Sequence, residues 1–387
     1  MVSLKYDETE RFISETARSF FTQEVPPRKL HTFEASDTGY DPALWQQMAQ
    51  LGWMALPFDE ALGGGGATTT QLGVLLEEFG RTALASPFFQ TVAAAGEVLR
   101  RLGDTPRATD LMRAIAEGGT RAALIASPNP AETASATDTG GGKLSVNGGP
   151  FVIEWAHVAD ALVVPATSSG NGASGNVELL AIDPQRAGVT IEPVTSMDNE
   201  RIARVTLQNV VAEDGDRLRA RPATTSDLAD ALAAVGALRA AEMTGAMRRV
   251  LEMTVEYVNV RHQFGRPLGS FQAVQHGCAN MKIDADGAWL ATYEALSRAS
   301  AGLPFRRHAL IASYFAGQAA ERVTTTAAQL HGGMGFMREY HLQFYFRRAK
   351  AQQLRLGDLR YQLRAVADEV FGPVAAPAPK RTAAAVA

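Results

Sequence analysis

Cysteine is almost missing from this chain: Cys278 stands alone among 387 residues. A single thiol excludes an internal disulfide framework and agrees with a reducing compartment. Charge of one sign is also missing. The 37 basic and 41 acidic residues leave a net charge of −4, too little field to draw nucleic acid or an anionic membrane. No apolar run approaches the roughly 20 residues that cross a bilayer. The N-terminus, MVSLKYDETERF, has no basic run followed by an apolar core and does not read as a secretory signal. We therefore expect a cytoplasmic protein. The seven histidines and Cys278 show no metal-ligand spacing, so no metal site is expected. What remains is 46 % apolar and 20 % charged residues, an ordinary globular composition in a chain long enough for two or three domains.

The pattern changes twice along the chain. In residues 1–118, Phe12, Ile13, Ala17, Phe20 and Phe21 recur at helical spacing. Asp41-Pro42 opens a helix with Leu44, Trp45, Met48 and Leu51 on one face. The run Gly63-Gly64-Gly65-Gly66 breaks the pattern. No Lys-Ser/Thr follows it, so it reads as a mobile turn and not a phosphate loop. Helical periodicity resumes over 70–80 and 87–101. Residues 119–222 carry short strand-like runs such as Ala161-Leu162-Val163-Val164, separated by Gly, Asn and Pro clusters. Over 223–372, Ser226 caps a long helix that ends near Arg261, and three helical segments follow at 271–302, 306–330 and about 340–371. The Pro/Ala stretch 373–387 cannot bury a core and is expected to be disordered. The fold expected is α+β: an N-terminal helical domain, a small middle β-barrel or sandwich, and a C-terminal four-helix bundle.

Two clusters in the last third suit an anionic, aromatic ligand. Arg261-His262-Gln263-Phe264-Gly265-Arg266 places a guanidinium, which pairs with phosphate oxygens, three residues before an aromatic ring. The bland alternative is a surface arginine and a core phenylalanine at a helix end. Gln329-Leu330-His331-Gly332-Gly333-Met334-Gly335 lets backbone approach a ligand closely, but it reads equally well as a helix C-cap. His331 by itself is a packing residue.

These motifs, in this order, resemble the acyl-CoA dehydrogenase family across almost the whole chain. The likeness rests on Leu51-Gly52-Trp53, Pro57, the four glycines from Gly63, Glu77-Glu78-Phe79-Gly80-Arg81, Arg261-x-x-Phe264-Gly265, Gln272, Gln329-x-x-Gly332-Gly333-x-Gly335 and Arg347-Arg348-Ala349-Lys350. The resemblance implies a glutamate that removes the α-proton of an acyl-CoA thioester while FAD takes hydride from the β-carbon. It further implies electron delivery to an electron-transfer flavoprotein, and a dimer or tetramer whose FAD is shared across a subunit interface. The cofactor contacts it implies here are Arg261, Gln263, Phe264, Gln272, Gln329, Gly332 and Gly333.

The chain departs from the family at the base and at the flavin ring. Leu356 stands where the glutamate is expected and Val235 at the alternative position; neither can accept a proton. Gly236 replaces an expected arginine. Asp358 points to another face, and Glu242 lies two helical turns past Val235, roughly 10 Å along the axis. The expected Gly-Ser-Asp run is missing, and Val152-Ile153-Glu154 replaces Trp-Ile-Thr. Glu154 is therefore expected to be a solvated strand-end residue of a subunit that cradles no ring. The pattern resembles the base-less member of the heteromeric actinobacterial acyl-CoA dehydrogenases of steroid side-chain breakdown, which would act with a second, glutamate-bearing subunit. Two alternatives stay open: a homotetrameric flavoenzyme with altered chemistry such as elimination or desulfination, and a non-catalytic scaffold.

Overall fold

A computed structural model describes residues 5–129, 132–169 and 175–372; the Pro/Ala stretch 373–387 lies outside the described residues. Six α-helices come first: α1 Glu8–Glu24, α2 Pro27–Ala35, α3 Pro42–Gln50, α4 Thr69–Thr82, α5 Gly96–Leu102 and α6 Pro106–Ala116. Local chemistry starts them. Asp7 and Glu10 exchange side-chain bonds with each other's backbone N–H at 2.7 and 2.9 Å, a capping box for α1. Prolines stand in the first turn of α2, α3 and α6, where their missing N–H costs nothing. The four-glycine segment is a turn, as expected, and it is hydrogen-bonded and tight. Gly66 donates to the Phe58 carbonyl at 2.8 Å, and a Cβ on Gly64 would stand 1.9 Å from the same oxygen.

The middle of the chain is one eight-stranded sheet: β1 Ala122–Leu124, β2 Ala134–Gly140, β3 Lys143–Glu154, β4 Ala161–Ser169, β5 Asn176–Ile182, β6 Val189–Val194, β7 Ile202–Ala212 and β8 Ala223–Thr224. Its order is β6-β7-β3-β2-β4-β5-β8, with β1 parallel to β4. Alternation along β4 and β5 splits their side chains between two cores. Leu162, Val164, Leu180 and Ile182 join the sheet's own core, while Val163, Leu179 and Ala181 pack into the core of the helical regions. Strands buried on both faces need the continuous apolar runs read in the sequence.

The C-terminal region holds α7 Thr225–Val260, α8 Gln272–Ser300, α9 Arg306–His331, α10 Leu342–Arg355 and α11 Leu359–Phe371, with a short hairpin, β9 His262–Gln263 and β10 Arg266–Pro267, between α7 and α8. The cap of α7 is Thr224 and not Ser226: its hydroxyl accepts from Asp227 N–H at 3.1 Å and the Asp227 carboxylate accepts from Thr224 N–H at 2.9 Å. The segment read as one helix from about 340 is two. Gly357 takes φ +94°, which ends α10, and Asp358 caps α11 through Arg360 and Tyr361 N–H.

Two glycines set how the N-terminal region meets the bundle. A Cβ on Gly80 of α4 would lie 1.8 Å from the Glu242 carbonyl oxygen of α7, and one on Gly245 of α7 would lie 1.9 Å from the Glu77 carbonyl oxygen of α4. The helices cross backbone to backbone. Gly245→Ala should therefore destabilise the chain by roughly 3 kcal/mol through overpacking. Gly140→Ala, at positive φ in open space, should cost about 1 kcal/mol. Urea unfolding midpoints of the two variants would check the difference.

Candidate functional site

A cavity of about 1420 Å³ opens where all three regions meet. Its walls come from the end of β3, the segment before α5, α7, α9, and the α10–α11 junction. Leu356, Val235 and Gly236 all line it. Leu356 is buried at the C-cap of α10. A Cβ on Gly236 would meet Ser313 Oγ at 2.8 Å and Leu356 Cδ2 at 4.0 Å. The two positions where the resemblance implies a base therefore face one volume, and neither side chain there is a proton acceptor. Asp358 spends its carboxylate on the α11 cap.

The inner wall carries charge that the sequence reading did not foresee. Glu154 is not solvated: it is buried at the end of β3, against the expectation. Arg239 of α7 bonds it, with its other nitrogen on Glu242 at 2.8 Å. Arg355 of α10 holds Glu154 at 2.9 Å and Asp198 at 2.8 Å, and also bonds Glu200. Arg348 lies 3.5 Å from Glu200. Three guanidinium groups thus face four carboxylates. The network persists because every member is paired; removing one partner of a buried pair typically costs about 3–5 kcal/mol.

Local backbone geometry aims the N-terminal members. Phe89–Ala95 forms a π-helix, a rare form that often marks functional positions; the sequence read only as helix here. It turns Phe89 and Gln90 toward the cavity. The Arg239 guanidinium stacks 3.3 Å from the Phe89 ring centroid, a cation–π contact strengthened by desolvation. Gln90 donates to Glu154 at 3.2 Å and accepts from Leu124 N–H at 3.3 Å.

The expected cofactor contacts lie at the far end of α7. Arg261 is exposed just past its C-terminus and makes no ion pair among the described residues. Gln263 and Arg266 pair across the hairpin. The two turn residues, Phe264 and Gly265, have φ +52° and +78°, a type I′ turn that suits Asn-Gly. A phenylalanine there is strained, yet 90 % of it faces solvent. Gln272 starts α8, exposed. Gln329 is exposed in the last turn of α9, and its carbonyl accepts the Gly332 N–H. Gly332 and Gly333 have open space where a Cβ would go. Tyr257 ties the two helix ends together: its ring stacks on His331 at 4.4 Å and its hydroxyl bonds the His331 carbonyl at 3.3 Å. His331 is buried, packed between Tyr257 and Tyr340.

Arg261 and Gly236 are 25 residues apart on and just past one helix, or about 38 Å along its axis. The cavity and the Arg261 cluster therefore stand at opposite ends of α7. Of the charged groups in this network, Arg239, Arg355, Asp198 and Glu200 carry no motif in the sequence. The legible signal was Arg239, the one charge within the small-residue run from Ala231 to Ala241.

Family models for the acyl-CoA dehydrogenase N-terminal and C-terminal domains match residues 7–119 and 230–371. The chain is 30 % identical over 365 residues to acyl-CoA dehydrogenase IpdE2 of Mycolicibacterium smegmatis, covering 94 % of this chain and 99 % of that one. It superposes on a variant of the Tcur3481-Tcur3483 steroid ACAD with a TM-score of 0.85 and 27 % identity, covering 94 % of this chain and 98 % of that one. Its fold is likewise that of the ChsE4-ChsE5 complex from Mycobacterium tuberculosis, with a TM-score of 0.86, 24 % identity and coverage of 96 % and 100 %. The chain belongs to the acyl-CoA dehydrogenase family. Among the described residues no helix is long and apolar enough to cross a membrane, and no group of His, Cys, Asp or Glu could hold a metal ion.

The network sets a pH dependence. Burial pushes the Glu242 carboxyl up to about 7; Arg239 opposes this, and Glu200 and Glu154 add to it. Burial likewise raises Glu77 to about 7, against Arg248 and Thr244. An unfolded glutamate titrates near 4.3. The stability these two groups contribute is present below that value and lost as pH rises through about 7. Glu200 acts in the opposite sense: burial works to raise it, but Arg355 and Arg348 hold it down to about 2. Its contribution is present above pH 4.3 and lost as pH falls toward 2. Thermal midpoints should peak near pH 5 and fall between pH 5 and 8, and Glu242→Gln should flatten the upper limb. An unchanged slope in that variant would remove Glu242 as the cause.

Proposed function

We propose that this chain is the base-less subunit of a heteromeric acyl-CoA dehydrogenase and completes the FAD site of a second, glutamate-bearing subunit through its Arg261 end. When bound, FAD supplies the two-electron acceptor for α,β-dehydrogenation of an acyl-CoA thioester. The carrying observation is the split along α7. The Arg261 end fits an anionic dinucleotide: an exposed guanidinium without an ion pair, a strained and presented Phe264, and two glycines with open approach. The cavity end does not fit a flavin ring, because its inner wall carries the Glu154–Arg239–Arg355 network, and it offers Leu356 and Val235 where a base is needed. Arg261 would donate charge-assisted hydrogen bonds to the partner's cofactor pyrophosphate. Gln263, Phe264, Gln272, Gln329, Gly332 and Gly333 would frame it. Proton removal falls to the partner, and the electrons pass to an electron-transfer flavoprotein. Likeness to the two-name Tcur3481-Tcur3483 steroid ACAD supports both the paired assembly and a steroid-derived acyl group.

Expressed alone, the chain should purify with little flavin, read as the absorbance ratio at flavin and protein wavelengths. Near one flavin per chain would instead favour a self-sufficient flavoenzyme. In the co-expressed complex, Arg261→Ala should weaken flavin retention about ten- to hundredfold, the equivalent of one charged hydrogen bond of roughly 1.5–3 kcal/mol. Full occupancy in that variant would overturn the half-site.

Phe264→Asn separates fold from function at the hairpin. Relief of the left-handed strain should stabilise the isolated chain by about 1 kcal/mol. Loss of the ring should weaken flavin retention in the complex. Calorimetry on the chain and flavin release from the complex would measure the two effects.

A further inference from the structure

The half-site reading explains why the Arg261 end is intact. It leaves open why this chain's own cavity, still about 1420 Å³, takes no ring. Lost contacts are one answer. The inner wall offers a more specific one. Glu154 and Arg239 both line the cavity and are both buried. They bond each other across the seam between β3 and α7. Each is held from a third direction: Gln90 of the π-helix bonds Glu154, Phe89 lies under the Arg239 guanidinium, and Arg355 takes the second oxygen of Glu154. Nothing in this arrangement can swing aside without leaving a buried charge unpaired.

Resting on the half-site reading, we propose that the Glu154–Arg239 pair is an exclusion device: it sets a buried ion pair across the inner end of this chain's cavity, and those charges keep the ring out, so that flavin loads at one of the two sites of the heteromeric pair and not at the other. The pair is a specificity determinant and not catalytic machinery. Its removal is self-consistent. With both charges gone, Arg355 keeps Asp198 and Glu200. Glu242, already raised by burial, can hold its proton in place of its lost arginine.

The test is flavin binding by the purified full-length chain. Riboflavin is the probe, because it carries the ring and has no pyrophosphate for Arg261 to hold. Fluorescence quenching follows the titration. The unmodified chain should show no saturable binding. The double variant Glu154→Thr/Arg239→Ala should open the space and bind riboflavin at one saturable site, at least tenfold tighter than the unmodified chain. Glu154→Gln/Arg239→Met nearly conserves volume and removes only the charges, and it serves if the first variant does not fold. Circular dichroism melts establish which variants are folded. Saturable binding by either folded variant supports the device. No gain in any folded variant overturns it and assigns the exclusion to the missing ring contacts, with the half-site untouched. Saturable binding by the unmodified chain overturns the device and the half-site reading together. Arg261→Ala in the complex, read separately, can sink the half-site without bearing on the cavity.

Discussion

One buried seam holds three guanidinium groups and four carboxylates, contributed by the sheet region and the bundle, with a π-helix of the N-terminal region bracing it. Its arithmetic is unbalanced by one negative charge, and burial raises the Glu242 carboxyl to about 7. Buried ion pairs add little net stability over apolar packing. Their effect here is orientational. Arg355 cannot satisfy Glu154, Asp198 and Glu200 together unless β3, the loop after β6 and the end of α10 are all in place. The cavity's shape follows from that requirement.

The helical thirds were legible because a buried stripe repeats every three to four residues whatever it packs against. The middle third was legible because strands covered on both faces need unbroken apolar runs. Precision failed where one residue's backbone chemistry decided the outcome. Ser226 and Thr224 can each start a helix, but only Thr224 stands three residues before an acid that returns the bond. Gly357 looked like half of a motif and acts as a helix stop. The π-helix has no periodic signature of its own.

Glu154 failed for a different reason. At the end of a strand, a glutamate is solvated unless something distant answers its charge. Its partners, Arg239 and Arg355, lie 85 and 201 residues away in sequence. A charge isolated in an apolar run is a cue that it has a partner, but spacing alone does not say which. The Arg261 cluster is legible as a cluster because Arg261 to Arg266 are local in sequence. Its distance from the cavity is a property of an uninterrupted 36-residue helix and needed only the rise per residue to be seen.

The crossing of α4 and α7 at Gly80 and Gly245 has a bearing on the seam. Slipping α7 by one residue moves it about 1.5 Å and turns it by about 100°, which would carry Arg239, six residues before Gly245, off Phe89 and away from Glu154. Side-chain packing tolerates some sliding; two carbonyl oxygens lodged where Cβ atoms would stand do not. The crossing works as a detent that indexes the bundle against the N-terminal region in whole-residue steps. The two smallest side chains in the contact thereby fix the angular position of its most charged neighbour.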